Sequence, residues 1–242
     1  MCTVTYFLND EKIVLTSNRD ERIARPTLLP LVYQVKGKNV LFPRDQEAGG
    51  TWIASGDNGR LACLLNGADK KHVSRGNYAR SRGQILLNSF SFESIGQFSN
   101  QENFENIEPF TLILVDCLKK ELIQLRWNGE EKKIETLPFN GAYIWCSYTL
   151  YPIEEIEHRS ENFSEMVANK KPLTPESILS FHEANYYGVN QEIDDSNLVF
   201  GLKTLSVTQI KASSDQISMA YHDLIGDMHC LNEMEIKKSN GY

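Results

Sequence analysis

The sequence predicts an α+β fold in which antiparallel sheets are covered by helices. Residues 3–8 and 12–17 are rich in β-branched and aromatic side chains and flank the turn-forming Asn9-Asp10-Glu11, which reads as a β-hairpin. Strand-like runs then follow one another through residues 110–116, 121–127, 132–137 and 142–147, an antiparallel meander. Helical segments enter in blocks, without the strict strand-helix alternation that a parallel sheet requires.

Taken in order, the first hairpin is followed by a second, where residues 51–54 and 60–65 flank Gly56-Asp57-Asn58-Gly59. Residues 79–90 place Ile85, Leu86 and Phe90 at helical offsets. Within the meander, Asn128-Gly129 supplies a hairpin signal. Helices are expected at 152–169 and 175–186, the second opened by Thr174 as N-cap with Pro175 at the first helical position. Strands at 204–211 and 216–223, joined around Ser213-Ser214-Asp215, close the chain. No repeat or linker divides these segments, so residues 1–242 are read as one domain.

Composition narrows the function classes. Hydrophobic residues make up 41% and charged residues 24%, which is ordinary for a globular chain and excludes wholesale disorder. The net charge of -7 leaves no global positive field to draw nucleic acid, so a small-molecule ligand or substrate is the expected partner. No secretory signal and no run of membrane-spanning length is evident, which points to a cytoplasmic protein. The five cysteines are odd in number, scattered, and never form a C-x-x-C pair, so neither a disulfide framework nor a structural zinc site is expected. His182-Glu183 lacks the second histidine of a zincin, and His222 with His229 has no carboxylate at a metal-binding sequence spacing. The expectation is therefore no metal and no cofactor.

The chain start holds the candidate chemistry. With Met1 removed, Cys2 would carry a thiol beside a free α-amino group, nucleophile and base on one residue. An amine with a pKa of about 7.7–8.0 is partly unprotonated near neutrality and can take the thiol proton. Antiparallel pairing returns the end of the second strand, Ser17-Asn18-Arg19-Asp20, to this point. With an even-length loop Leu8 faces Ile13 and Cys2 faces Arg19; with an odd-length loop Asn9 faces Ile13 and Cys2 faces Asp20. An aspartate there would hold the amine, whereas an arginine would lower the thiol pKa or bind a substrate carboxylate. The plain alternative is a solvated strand end.

The Met1-Cys2 start, Asn18-Arg19-Asp20-Glu21 with Arg25-Pro26, Gly49-Gly50-Thr51-Trp52-Ile53, Gly59-Arg60-Leu61-Ala62 through Asn66, and Ser81-Arg82-Gly83 together resemble the NRDE family, the transport and Golgi organisation proteins. That family in turn resembles the N-terminal-nucleophile (Ntn) hydrolases of the penicillin acylase and bile salt hydrolase type. The resemblance implies a four-layer αββα sandwich, two antiparallel sheets flanked by helices. It also implies Cys2 as nucleophile, Asp20 as partner of its amine, Asn66 as oxyanion donor, and Asn18 and Arg19 beside them. Ser17 stands where the acylases carry arginine, so Arg19 would act from the neighbouring position. Arg82, Trp52 and Lys203 are the candidate substrate contacts, Lys203 lying in Leu202-Lys203-Thr204 where the family commonly has Thr-Arg-Ser. Two functions follow from the resemblance. One is an N-terminal cysteine hydrolase of amide or thioester bonds; the other is a non-catalytic binding or trafficking protein for an amphipathic metabolite such as haem or acyl-CoA. The local basic cluster Lys70, Lys71, His72, Arg75, Arg80 and Arg82 would serve the second.

Overall fold

The computed structural model describes residues 3–169, 172–186 and 202–237. The chain opens with β1 (Thr3–Asn9), β2 (Lys12–Arg22), β3 (Thr27–Val35), β4 (Lys38–Asp45), β5 (Ile53–Gly56) and β6 (Arg60–Asn66). Then come α1 (Arg82–Asn88), a 3-10 turn (Ser89–Ser91) and α2 (Ile95–Gln101), followed by β7 (Phe110–Asp116), β8 (Glu121–Trp127), β9 (Lys132–Leu137) and β10 (Tyr143–Cys146). Two longer helices, α3 (Ile153–Ala168) and α4 (Pro175–Ala184), precede β11 (Leu202–Ala212), β12 (Gln216–Asp223) and β13 (Met228–Glu235).

The strands form two antiparallel sheets. Sheet A has the order β10-β1-β2-β11-β12-β13, and sheet B runs β3 to β9 in sequence order. Between them, Val4, Tyr6, Ile13 and Leu15 of sheet A belong to one buried cluster with Leu61, Cys63, Ile113 and Val115 of sheet B. The outer face of sheet A presents Phe7 and Val14 to Phe163 of α3 and to Ile178 and Phe181 of α4. Sheet B is covered by α1, which buries Ile85 and Leu86, and by α2, which buries Phe98. The result is the four-layer αββα sandwich.

The first hairpin closes through Asp10 and Glu11, both left-handed at φ 45 and 64, the backbone of a tight two-residue turn built without glycine. The pairs Leu8 with Ile13 and Val4 with Ser17 select the even-length register. β2 continues five residues beyond its expected end, because β11 pairs along it as far as Leu202 with Arg22. Asn18, Arg19 and Asp20 are accordingly buried, at 0%, 2% and 2% exposure, and do not form a solvated strand end.

The meander also differs from its sequence reading. Its first three strands pair as expected, but β10 leaves sheet B and pairs with β1, Thr3 opposite Cys146. β3, β4, α2 and β13 have weak sequence signatures. β3 is an edge strand carrying Pro30, and its pairing with β4 slips between Leu28 and Leu31. β13, the opposite edge of sheet A, has none of the β-branched residues that mark a strand. Thr174 caps α4 as expected, its hydroxyl accepting from Ser177 N–H in a reciprocal capping box.

Candidate functional site

Strand alternation sorts the charged end of β2 onto two faces. Ile13 and Leu15 point between the sheets and Val14 toward the helices, so Ser17, Arg19 and Glu21 share the inner face while Asn18 and Asp20 share the outer one. Contacts bear this out. Asn18 donates its amide to the His182 carbonyl at 3.3 Å and its Oδ1 lies 2.7 Å from His182 Nδ1, on α4. Asp20 accepts from Tyr151, which precedes α3, and from Thr204 on β11.

On the inner face, Arg19 reaches sheet B. Its guanidinium lies 3.2 Å from Asp45 and 4.6 Å from the ring centroid of Trp52, a cation-π contact. Burial lowers the Arg19 pKa against the opposing pull of Asp45 and Glu21. Arg25 bridges Glu21 at 2.7 Å and Asp45 at 2.8 Å. Burial works against the Arg25 charge too, but Glu21, Asp45 and Glu47 outweigh it and its pKa is raised. Asp45 Oδ1 accepts from the N–H groups of Glu47 and Ala48, so its carboxylate is fixed by the turn that follows β4.

These groups form one wall of a cleft of about 340 Å³, whose lining includes Arg19, Trp52, Asn66, Tyr78, Arg82 and Glu108. Arg82 donates to the Pro109 carbonyl at 3.1 Å and pairs with Glu108 at 3.0 Å; burial lowers its pKa, with Glu108 opposing. The backbone of Asn66 is held by Ser147 and Thr149, whose hydroxyls donate to its carbonyl at 2.8 and 2.9 Å. Two glycine motifs meet behind the cleft. A Cβ on Gly50 would stand 2.6 Å from the Gly83 carbonyl carbon, and one on Gly83 would stand 2.7 Å from the Thr51 carbonyl oxygen. The Gly49-Gly50-Thr51-Trp52 and Ser81-Arg82-Gly83 segments are thus in backbone contact, which only glycine permits.

Of the residues singled out in the sequence, the cleft gathers Arg19, Trp52, Asn66 and Arg82. Asn18 and Asp20 lie on the other side of sheet A, and Lys203 pairs with Glu21 in register but is absent from the cleft lining. Cys2 lies outside the described residues, as does Met1. The basic cluster is dispersed: Arg80 pairs with Glu102 at 2.7 Å, His72 with Glu108 at 3.3 Å, and Lys70, Lys71 and Arg75 are exposed. Sequence reasoning missed Asp45, Glu21 and Glu108, the carboxylates that position the arginines. The signal at Asp45 was local, an aspartate opening a turn just before Gly49-Gly50.

Residues 1–217 match the family described as Transport and Golgi organisation 2. The chain belongs to that family. No curated protein matches the sequence. Among solved structures, this Transport and Golgi organisation 2 family member is similar to two variants of conjugated bile acid hydrolase from Clostridium perfringens. One has a TM-score of 0.66 at 10% identity over 99% of this chain and 94% of that one; the other has 0.64 at 9% identity over 98% and 97%. It is also similar to the Caenorhabditis elegans ortholog of N-acylethanolamine-hydrolyzing acid amidase, with a TM-score of 0.52 at 12% identity over 86% and 92%. The family member therefore shares the fold of the Ntn hydrolases. Among its described residues, no helix is long and apolar enough to cross a membrane.

Proposed function

We propose that the protein is an N-terminal cysteine hydrolase that cleaves an amide or thioester bond of a small acyl metabolite through an acyl-Cys2 intermediate. The observation that carries this reading is the register of the first hairpin. Val4 pairs with Ser17, and Val4, Tyr6 and Leu8 face between the sheets. Continuing that pairing and alternation supports a Cys2 thiol opposite Arg19, on the cleft side. The α-amino group freed by Met1 removal takes the thiol proton, and the thiolate attacks the acyl carbon. The amine then returns the proton to the leaving nitrogen or sulfur, and water releases the acyl group from Cys2.

Each neighbouring residue has a proposed part. The buried Arg19 guanidinium favours the thiolate, held in place by Asp45 and Trp52. Asn66 supplies an oxyanion donor, and Arg82 and Trp52 contact substrate. Asp20, fixed by Tyr151 and Thr204, accepts from the α-ammonium group, and Asn18 positions that strand through His182. The experiment is intact-mass analysis of the purified chain with hydrolysis of a panel of N-acyl amides and acyl thioesters by the native protein and Cys2→Ala. Loss of Met1, an acyl adduct on Cys2 and inactivity of the variant are expected. Retained Met1, or unchanged hydrolysis by Cys2→Ala, overturns the reading.

The arginines lining the cleft favour a second reading, binding of an anionic amphipathic metabolite such as haem or acyl-CoA without turnover. Against it, each guanidinium already has a carboxylate: Arg19 with Asp45 at 3.2 Å, Arg25 with Glu21 at 2.7 Å, Arg80 with Glu102 at 2.7 Å, and Arg82 with Glu108 at 3.0 Å. A polyanion would have to displace these partners, whereas a neutral acyl group would not. Saturable acyl-CoA binding that Arg82→Glu abolishes, without hydrolysis, is the outcome that selects this reading.

A further inference from the structure

The β12-β13 hairpin brings together three metal-ligating side chains on the face of sheet A turned away from the cleft. His222 pairs directly with His229, and their rings stack with centroids 3.6 Å apart. The turn between them carries Asp227 in a left-handed conformation, φ 47, and places its Oδ1 3.9 Å from Nε2 of both rings. One ligand atom from each residue falls within 4.8 Å of the other two. The sequence spacing hides this arrangement, because the partners meet across strands. Neighbouring β12 residues fix the orientation: Ile217, Met219 and Tyr221 fill the inter-sheet core, so His222 faces outward.

Several features prepare this group for a cation. The turn is stiffened by Asp223, whose Oδ1 accepts from Ile225 and Gly226 N–H at 2.9 and 3.0 Å, and Leu224 N–H donates to the Leu205 carbonyl at 2.8 Å. Tetrahedral coordination at zinc-to-nitrogen and zinc-to-oxygen distances of about 2.0–2.1 Å requires ligand atoms about 3.4 Å apart. The two carboxylate-to-imidazole separations of 3.9 Å must therefore close by about half an ångström, and the three ligand atoms, now within 4.8 Å of one another, must all draw together. Such shifts lie within rotamer freedom here, since the Asp227 and His229 side chains are 94% and 65% exposed.

We propose that His222, His229 and Asp227 form a divalent transition-metal site at the tip of the β12-β13 hairpin. Two imidazole Nε2 atoms and one carboxylate oxygen bind the ion, and solvent completes its shell. Two imidazoles with one carboxylate suit zinc-class ions over magnesium or calcium, which take oxygen ligands. The site is separate from the cleft, so its occupancy is independent of hydrolysis.

Calorimetric titration of the full chain with Zn²⁺ tests this, alongside a His222→Ala/His229→Ala double variant and Cys230→Ser. The native protein should bind one ion per chain, the double variant should bind at least about tenfold more weakly, and Cys230→Ser should match the native protein. Circular dichroism confirms that the variants fold. Cobalt substitution gives a second readout, a tetrahedral d-d absorption band without thiolate charge transfer that disappears in the double variant. No saturable Zn²⁺ binding by the native protein, unchanged affinity in the folded double variant, or a thiolate band with cobalt overturns the proposal.

Discussion

His182 Nδ1 lies 2.7 Å from Asn18 Oδ1, while its other ring nitrogen lies 2.8 Å from the Thr5 hydroxyl. Because the Asn18 amide nitrogen donates to the His182 carbonyl, its oxygen faces the ring. The ring therefore carries a proton on Nδ1, and burial keeps it neutral, so that Thr5 donates to Nε2. Burial pushes the His182 pKa down from 6.5 to about 3, aided by the Arg159 charge. The unfolded chain takes up this proton before the folded one does. Stability is thus intact above pH 6.5 and falls as pH drops toward 3, by up to about 1.4 kcal/mol per pH unit. Chemical denaturation between pH 7 and 4 should show a steeper decline for the native protein than for His182→Gln.

The backbone contact between the two glycine motifs predicts opposite signs at two glycines. Gly83→Ala drives a methyl into the Thr51 backbone and should cost about 1–3 kcal/mol or more. Gly96→Ala, inside α2 with its nearest contact at 3.9 Å, should stabilise by about 0.5–1 kcal/mol. Urea midpoints of the two variants check both.

Asp45 serves two arginines and two backbone N–H groups from a nearly buried position. Asp45→Ala strands the buried Arg19 charge and should cost about 3–5 kcal/mol, with loss of whatever activity the cleft supports. Glu47→Ala, on the exposed rim of the same network, should stay within about 0.5 kcal/mol of the native value. Parallel denaturation curves separate the two.

Burial raises the thiol pKa of Cys63 and Cys117 to about 12 and that of Cys146 to about 11. These three thiols should resist iodoacetamide in the folded protein near pH 7.5 and react only after unfolding. Peptide mapping after a short alkylation reads this directly. Modification of Cys63 without unfolding would contradict the packing between the sheets.

Local signals made much of this architecture legible. The hairpin at Asn9-Asp10-Glu11, the Thr174 cap and the Asn128-Gly129 turn depend on neighbours in sequence, and each lies where its chemistry puts it. Long-range pairing was not legible. Nothing in residues 143–146 announces that β10 joins β1, and nothing in Asn18-Arg19-Asp20 says that β11 keeps these residues in a strand. For the same reason the alternation that separates Arg19 from Asn18 and Asp20 emerges only because β11 keeps these residues in a strand. The carboxylates that position the arginines were missed because Asp45 and Glu108 come from distant segments of the chain.

Sheet B is a contiguous meander from Thr27 to Leu137, each strand beside its predecessor, whereas sheet A draws β1 and β2 from the chain start and β10 to β13 from its second half. Assembly therefore has a direction. On a growing polypeptide, sheet B pairs each strand with its predecessor, the one long connection being residues 67–109 with α1 and α2 between β6 and β7, and can complete during synthesis, while β1 and β2 wait with both flanks open until β10 and β11 emerge. During that interval the backbone edges of β1 and β2 that β10 and β11 later pair are open, and this is when pairing with other nascent chains competes most strongly with correct folding.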